Sequence, residues 1–213
     1  MQGARLMASG IPTPKWNNAD VTAPNPDLDA VAHWYAELDL PWGLRVPVEF
    51  DIPMGDPLFV KRCWGLRPPG LERRATPAVQ IRLATAADLD QYAETDAVVF
   101  GDDPALSRRW VEATLGRPGF EHWLAMAGGR SVGVAEVVRT NDWAGPAAML
   151  TGVGALGEWK GDGVEQALAQ FAVEHAFESG VALVHAHDQD EALCRAIGFE
   201  EVPGFLIRVV RTN

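Results

Sequence analysis

The stretch GEWKGDGVEQAL, residues 157–168, sets Gly161 and Gly163 directly before an apolar-periodic run. Glycines leading into a helix present backbone N–H groups to an anion, because the donors of the first turn have no partner within the helix. Lys160 adds one positive charge to such a cradle, whereas Glu158, Asp162 and Glu165 add negative ones. At ~5 Å and an effective dielectric of ~40–80, each acid facing a bound phosphate would cost roughly 1–2 kcal/mol. The acids also admit a second reading. Asp162 and Glu165 stand three apart at a helix start, the spacing of a capping box that satisfies those N–H groups internally. Further along, His185 and His187 alternate onto one face of LVHAHD beside Asp188. These are metal-ligand types, but no further convergent ligand stands with them, and no metal is expected. His122 and His175 are expected to pack and hydrogen-bond.

Composition narrows the classes. A chain of 213 residues, 47% hydrophobic and 22% charged, has room for one or two domains. It contains no apolar run of about 18 residues to span a membrane, and its start, MQGARLMASG, lacks the apolar core of a signal peptide. Cys63 and Cys194 are the two cysteines, which argues against a disulfide scaffold and for a reducing cytoplasm. A net charge of −11 disfavours nucleic acid and anionic lipid as partners. Residues 1–78 hold 8 Lys and Arg against 9 Asp and Glu, whereas residues 79–213 hold 10 against 20. Such an acidic part serves solubility or draws in a cationic partner, and charge alone leaves both open.

The elements that would position the loop follow from patterning. Residues 10–28 are rich in proline and read as irregular chain. A helix is expected over 29–39. WGLRVPVEF alternates like a strand that Pro47 demotes toward an edge. DPLFVKRCWG resembles a short helix, with Pro57 in its first turn and Gly65 as its stop. After RRATPA the rhythm clears. VQIRLA is a strand, Thr85 and Asp88 open a helix as a capping box, and Asp103–Pro104 open another that Gly116 stops. HWLAMAGGRSVGVAEVV is a hairpin turning at Gly128–Gly129, and PAAMLTGVGA is a strand running into the glycine loop. The helix beyond puts Val164, Leu168, Phe171 and His175 on one face. VALVHA, EALCRAIG and GFLIRVV close the chain as strand, helix and strand. The class is α/β or α+β. An echo between residues 60–74 and 193–208, each with a short helix, a glycine, Pro-Gly and a strand, suggests that residues 29–75 are a degenerate half-copy of the C-terminal half.

The segment AAMLTGVGALGEWKGDGVEQALAQFAVEHA resembles the central motif of the GNAT N-acetyltransferases, with Lys160, Gly161, Asp162, Gly163, Val164 and Glu165 on its Arg/Gln-x-x-Gly-x-Gly/Ala loop. LCRAIGFEEV is similar to the closing signature of that family at Gly198 and Phe199, and the order of elements over residues 79–213 also fits. The resemblance implies the GNAT fold, a mixed central sheet flanked by helices. Taken with the composition, which leaves residues 1–28 as an irregular segment, it implies a partial GNAT-like half-domain over 29–78 and the transferase domain over 79–213. It further implies acetyl transfer from acetyl-CoA to an amine that attacks the thioester directly. Carried over, Val153, Gly154 and Ala155 would offer backbone groups to the thioester and pantetheine, residues 160–165 would cradle the pyrophosphate, and His187 falls near a frequent Asn of the cofactor site. Glu136 and Asp142 are the candidate bases, and Cys194 stands where the family commonly has a Tyr acid. The acceptor would be a small-molecule or peptide amine, better cationic, with a homodimer left open. Glu165, standing where the family uses Gly or Ala, supports an alternative: a non-catalytic GNAT-fold binding or interaction module.

Overall fold

In the structure, a computed structural model describing residues 1–52, 57–68, 71, 79–142, 145–187 and 191–211, one side chain organises the proline-rich N-terminal segment. The buried Asn17 amide donates to the carbonyls of Ile11, Thr13 and Pro41 at 2.7, 2.9 and 3.0 Å, and its oxygen accepts from the Ser9 backbone at 2.9 Å. These bonds hold the connection between strands β1 (Ala4–Ala8) and β2 (Asn17–Val21), which pair antiparallel. The segment is therefore not irregular throughout, as composition suggested. Helix α1 (Leu28–Glu37) starts at Asp27, whose carboxylate accepts from Ala30 N at 3.0 Å. It buries Val31 and Tyr35 among Ala19, Leu44 and Val46, with the Tyr35 ring stacked on Trp42 at 4.9 Å. Strand β3 (Gly43–Pro47) runs parallel to β2.

Strand β4 (Pro57–Leu66) is extended where a short helix was expected. Its residues Cys63–Leu66 take ladder partners from His187 back to Val184, and that pairing overrides the proline and glycine punctuation. The half-copy reading loses its second helix, and residues 72–74 of the echo lie outside the described residues.

The remaining elements are β5 (Gln80–Leu83), α2 (Leu89–Phe100), α3 (Pro104–Thr114), β6 (Phe120–Ala127), β7 (Arg130–Asp142), β8 (Gly145–Ala155), α4 (Val164–Glu178), β9 (Leu183–His187), α5 (Glu191–Ile197) and β10 (Glu200–Arg211). The chain divides into two compact units, residues 1–62 with 203–213 and residues 63–202, rather than at 78–79. In the first unit β10 pairs antiparallel with β3, Ile207 to Pro47 through Arg211 to Gly43, so β3 is an interior strand and not an edge. In the second unit the order is β4-β9-β8-β7-β6-β5, antiparallel except for the parallel β8–β9 pair.

The two faces of this second sheet are covered differently. Helix α4 buries Val164, Ala167, Leu168, Ala172, Val173 and Ala176, and its core cluster includes Trp123, Ala135, Val137 and Val153. Its buried stripe is rich in alanine, so the expected face is only half right: Phe171 stays 40% exposed and His175 meets Trp123 from a half-exposed position. Tyr92 and Ala93 of α2 and Val111 of α3 pack with Leu124 and Val134 in a separate cluster.

Candidate active site

Strand β8 changes character at its C-terminal end. Its register with β7 shifts between Val134↔Gly154 and Glu136↔Thr151, so Gly152 and Val153 stand opposite Ala135 as a bulge, with Gly152 at φ 58°. Pairing with β9 covers Ala147–Leu150 alone, so among the described residues the stretch from Thr151 to Ala155 has no strand on that edge. Its backbone groups there are available to another partner. Gly154 allows close packing: a Cβ on it would lie 2.2 Å from Val99 Cγ1 of α2.

The glycine loop follows directly. Residues 157–159 form a 3-10 turn, and Trp159 packs on the α4 core cluster. Gly161 and Gly163 both take left-handed backbone angles, φ 87° and 78°, which L side chains rarely adopt. Cβ atoms on either would meet nothing within 4 Å, so the loop is open on those sides. Gly163 itself occupies the N-cap of α4, and no side chain caps the helix. The self-capping reading of Asp162 and Glu165 is therefore corrected. With glycine at the cap, Asp162 sits one residue too early and Glu165 has no capping side chain to answer. The first intrahelical bond here is Ala167 N to Gly163 O at 2.9 Å, so the N–H groups of Val164, Glu165 and Gln166 have no partner among the described residues. One of the loop acids is paired, since Glu158 lies 3.8 Å from Arg130. Backbone donors, the positive end of a helix and Lys160 together suit a pyrophosphate, while Asp162 and Glu165 oppose it.

Glu136, one strand away, is 7% exposed and sits opposite Thr151 beside the bulge. Trp110 Nε1 donates to its Oε2 at 2.9 Å, and His122 Nε2 stands 3.3 Å from the same oxygen. His122 Nε2 also lies 3.1 Å from Thr114 Oγ1, and the Thr114 hydroxyl donates to Trp110 O at 2.8 Å. Tyr92 meets the His122 ring edge-on at 5.0 Å and donates to Ala135 O at 2.9 Å. Burial pushes the Tyr92 phenol well above its ordinary range, and the Glu136 charge adds to this. Sequence reading found Glu136 but not Trp110, which reaches it from α3, nor Thr114 and Tyr92, which meet His122 from α3 and α2. His122 packs and hydrogen-bonds as expected.

The other candidates lie apart from this cluster. Asp142 ends β7 opposite Gly145, six positions or ~20 Å of strand from Glu136, and its side chain lies outside the described residues. The backbone of His187 pairs with Cys63, and its side chain also falls outside them. Cys194 is 2% exposed within the cluster that holds Ile197 and Phe199.

Residues 87–201, over half of the chain, match the model of the acetyltransferase (GNAT) family. The chain belongs to that family. No curated protein matches it in sequence. A GCN5-related N-acetyltransferase from Kribbella flavida shares its fold with a TM-score of 0.70 at 15% identity, over 99% of this chain and 90% of that one. Another, from Sphaerobacter thermophilus, gives 0.66 at 13% identity over 98% and 75%. The aminoglycoside N-acetyltransferase AAC(6')-Iy in complex with CoA gives 0.53 at 19% identity, over 62% of this chain and 93% of that chain. The mixed α/β sheet of this GNAT chain is thus the fold its sequence motifs implied. No described helix is long and apolar enough to cross a membrane.

Proposed function

We propose that this GNAT chain is a cytoplasmic N-acetyltransferase that moves acetyl from acetyl-CoA to the amine of a small molecule or peptide. One observation carries the reading: an uncapped helix N-terminus behind two left-handed glycines, placed directly after the bulged and half-unpaired end of β8. Lys160 and the N–H groups of Gly161 and of Gly163 to Glu165 hold the pyrophosphate, and the backbone of Val153, Gly154 and Ala155 holds the pantetheine arm. Bound acetyl-CoA supplies the thioester carbonyl that the amine attacks. Glu136, beside the bulge, receives the proton that an ammonium must lose before its nitrogen can attack. The acceptor is better cationic, given the acidic balance of residues 79–213.

Thermal shift with acetyl-CoA and with CoA tests the cofactor site, since a ligand that binds only the folded state must raise the melting temperature. Thiol release is then followed over a panel of amines: spermidine, kanamycin and lysine-containing peptides. A rise in melting temperature with thiol release supports the reading. If neither thioester nor free CoA shifts the melt, the chain is a non-catalytic GNAT-fold module instead, in keeping with its acidic loop.

A further inference from the structure

His122 is the least exposed ionisable group near Glu136, with a side-chain exposure of 0%. Its hydrogen-bonding roles follow from its neighbours. The Thr114 hydroxyl gives its hydrogen to Trp110 O, so Thr114 Oγ1 can only accept from the imidazole. The ring proton therefore sits on Nε2, the nitrogen that also faces Glu136 Oε2. Nδ1 is buried with no partner among the described residues, which leaves it bare. The Nε2–H is thus held by Thr114 Oγ1, and the nitrogen that bears it lies 3.3 Å from the carboxylate oxygen to which Trp110 Nε1–H donates. No described donor reaches the other oxygen, Oε1, and Glu136 keeps about 10% of its side chain exposed. This asymmetry divides the labour of the carboxylate between its two oxygens.

We propose that His122 is a positioning residue for Glu136, fixing Oε2 together with Trp110 so that Oε1 takes the proton of the acceptor ammonium beside the β8 bulge. The step balances as carboxylate plus ammonium giving carboxylic acid plus free amine. His122 itself touches neither substrate. The proposal rests on the N-acetyltransferase reading, and its test separates the two.

Long-range ¹H–¹⁵N spectra of the wild-type protein read the tautomer without any acceptor. An Nε2–H ring is expected, and an Nδ1–H ring overturns the proposal whether or not any amine reacts. Four forms are then assayed with acetyl-CoA and the panel amine turned over fastest among spermidine, kanamycin and a lysine peptide: H122L, H122Q, E136Q and the H122L/E136Q double variant. E136Q is expected to lower kcat about a hundredfold or more. H122L should lower kcat about tenfold with KM for acetyl-CoA unchanged. H122Q, whose amide can donate from nearly the same place, should recover most of that loss. The double variant should be no slower than E136Q, because residues acting as one unit are not additive. Additive losses, or no rescue by Gln, make His122 merely structural and overturn the proposal. Full activity in a folded E136Q sinks the role of Glu136, while acetyl-CoA still raising the melt of every variant keeps the cofactor site intact.

Discussion

Cys194, which by resemblance stands where the family commonly has a Tyr acid, lies on α5 and is 2% exposed within the hydrophobic core. A thiol so placed acts as a small hydrophobe. C194A is therefore expected to lower turnover less than about tenfold, since positioning supplies much of the acceleration. It should also lower stability by about 1 kcal/mol through lost packing. Steady-state kinetics and a melting curve on the same sample check both, and a loss near a thousandfold in a folded variant would make Cys194 the acid. Lys61 gives a second residue-scale expectation. Burial pulls its amine down to about 8, and the charge of Arg45 adds to the shift. Near pH 8 about half of it is neutral, against well under 1% of an ordinary lysine. Limiting acetic anhydride at pH 8 should mark Lys61 before Lys15 and Lys160, with the preference fading by about pH 10.5. Peptide mass spectrometry reads the order.

The loop between β8 and α4 concentrates what the sequence could and could not tell. Its glycines and the helix behind them were legible, because left-handed angles and helix starts leave local signatures. The roles of Asp162 and Glu165 were not, because residue spacing alone does not say which residue takes the cap; here it is Gly163. If the two acids oppose a cofactor, D162R/E165G should tighten CoA at least about tenfold by titration calorimetry, an effect that shrinks in high salt. No side-chain cap bond is lost, but the glycine at 165 should cost the first turn of α4 up to about 1 kcal/mol, so the variant should melt slightly below wild type. The 3-10 turn Ala86–Asp88 that leads into α2 behaves oppositely. Asp88 accepts from Arg82 at 2.7 Å and from Thr85 N at 2.8 Å, completing the capping box that the sequence announced. The Arg82 hydrogen bond holds the Asp88 carboxyl well below the usual carboxylate range. The unfolded chain thus takes up this proton first, so the stabilisation is complete above about pH 4 and is lost as pH falls below it. D88N should cost about 1–2 kcal/mol at pH 7, and its deficit should narrow in denaturant titrations below pH 4. Strand β4 was misread for a different reason. Its short stretch carries proline and glycine where a helix would, and its strand identity comes from β9, more than a hundred residues later. The Glu136 cluster was opaque on the same grounds, since Trp110, His122 and Glu136 come from three elements.

At the scale of the molecule, the excess of acid over residues 79–213, 20 Asp and Glu against 10 Lys and Arg, draws in a cationic partner or serves solubility, and salt separates the two. Raising ionic strength from about 0.05 to 0.5 M should raise KM for spermidine severalfold while leaving KM for a neutral amine little changed. Initial rates at both salts decide it, and equal responses would reduce the charge to a solubility device. The return of β10 to the first unit has a consequence for synthesis. Residues 63–202 form a contiguous unit, whereas residues 1–62 wait for 203–213. Translation at roughly 5–20 residues per second separates β3 from β10 by on the order of ten seconds. During that interval β3 has β2 on one side and an unclaimed ladder on the other. Most of residues 63–202 is thus made before the strand that closes the first unit, and the nascent chain is most exposed to edge pairing with its neighbours on a polysome in that window.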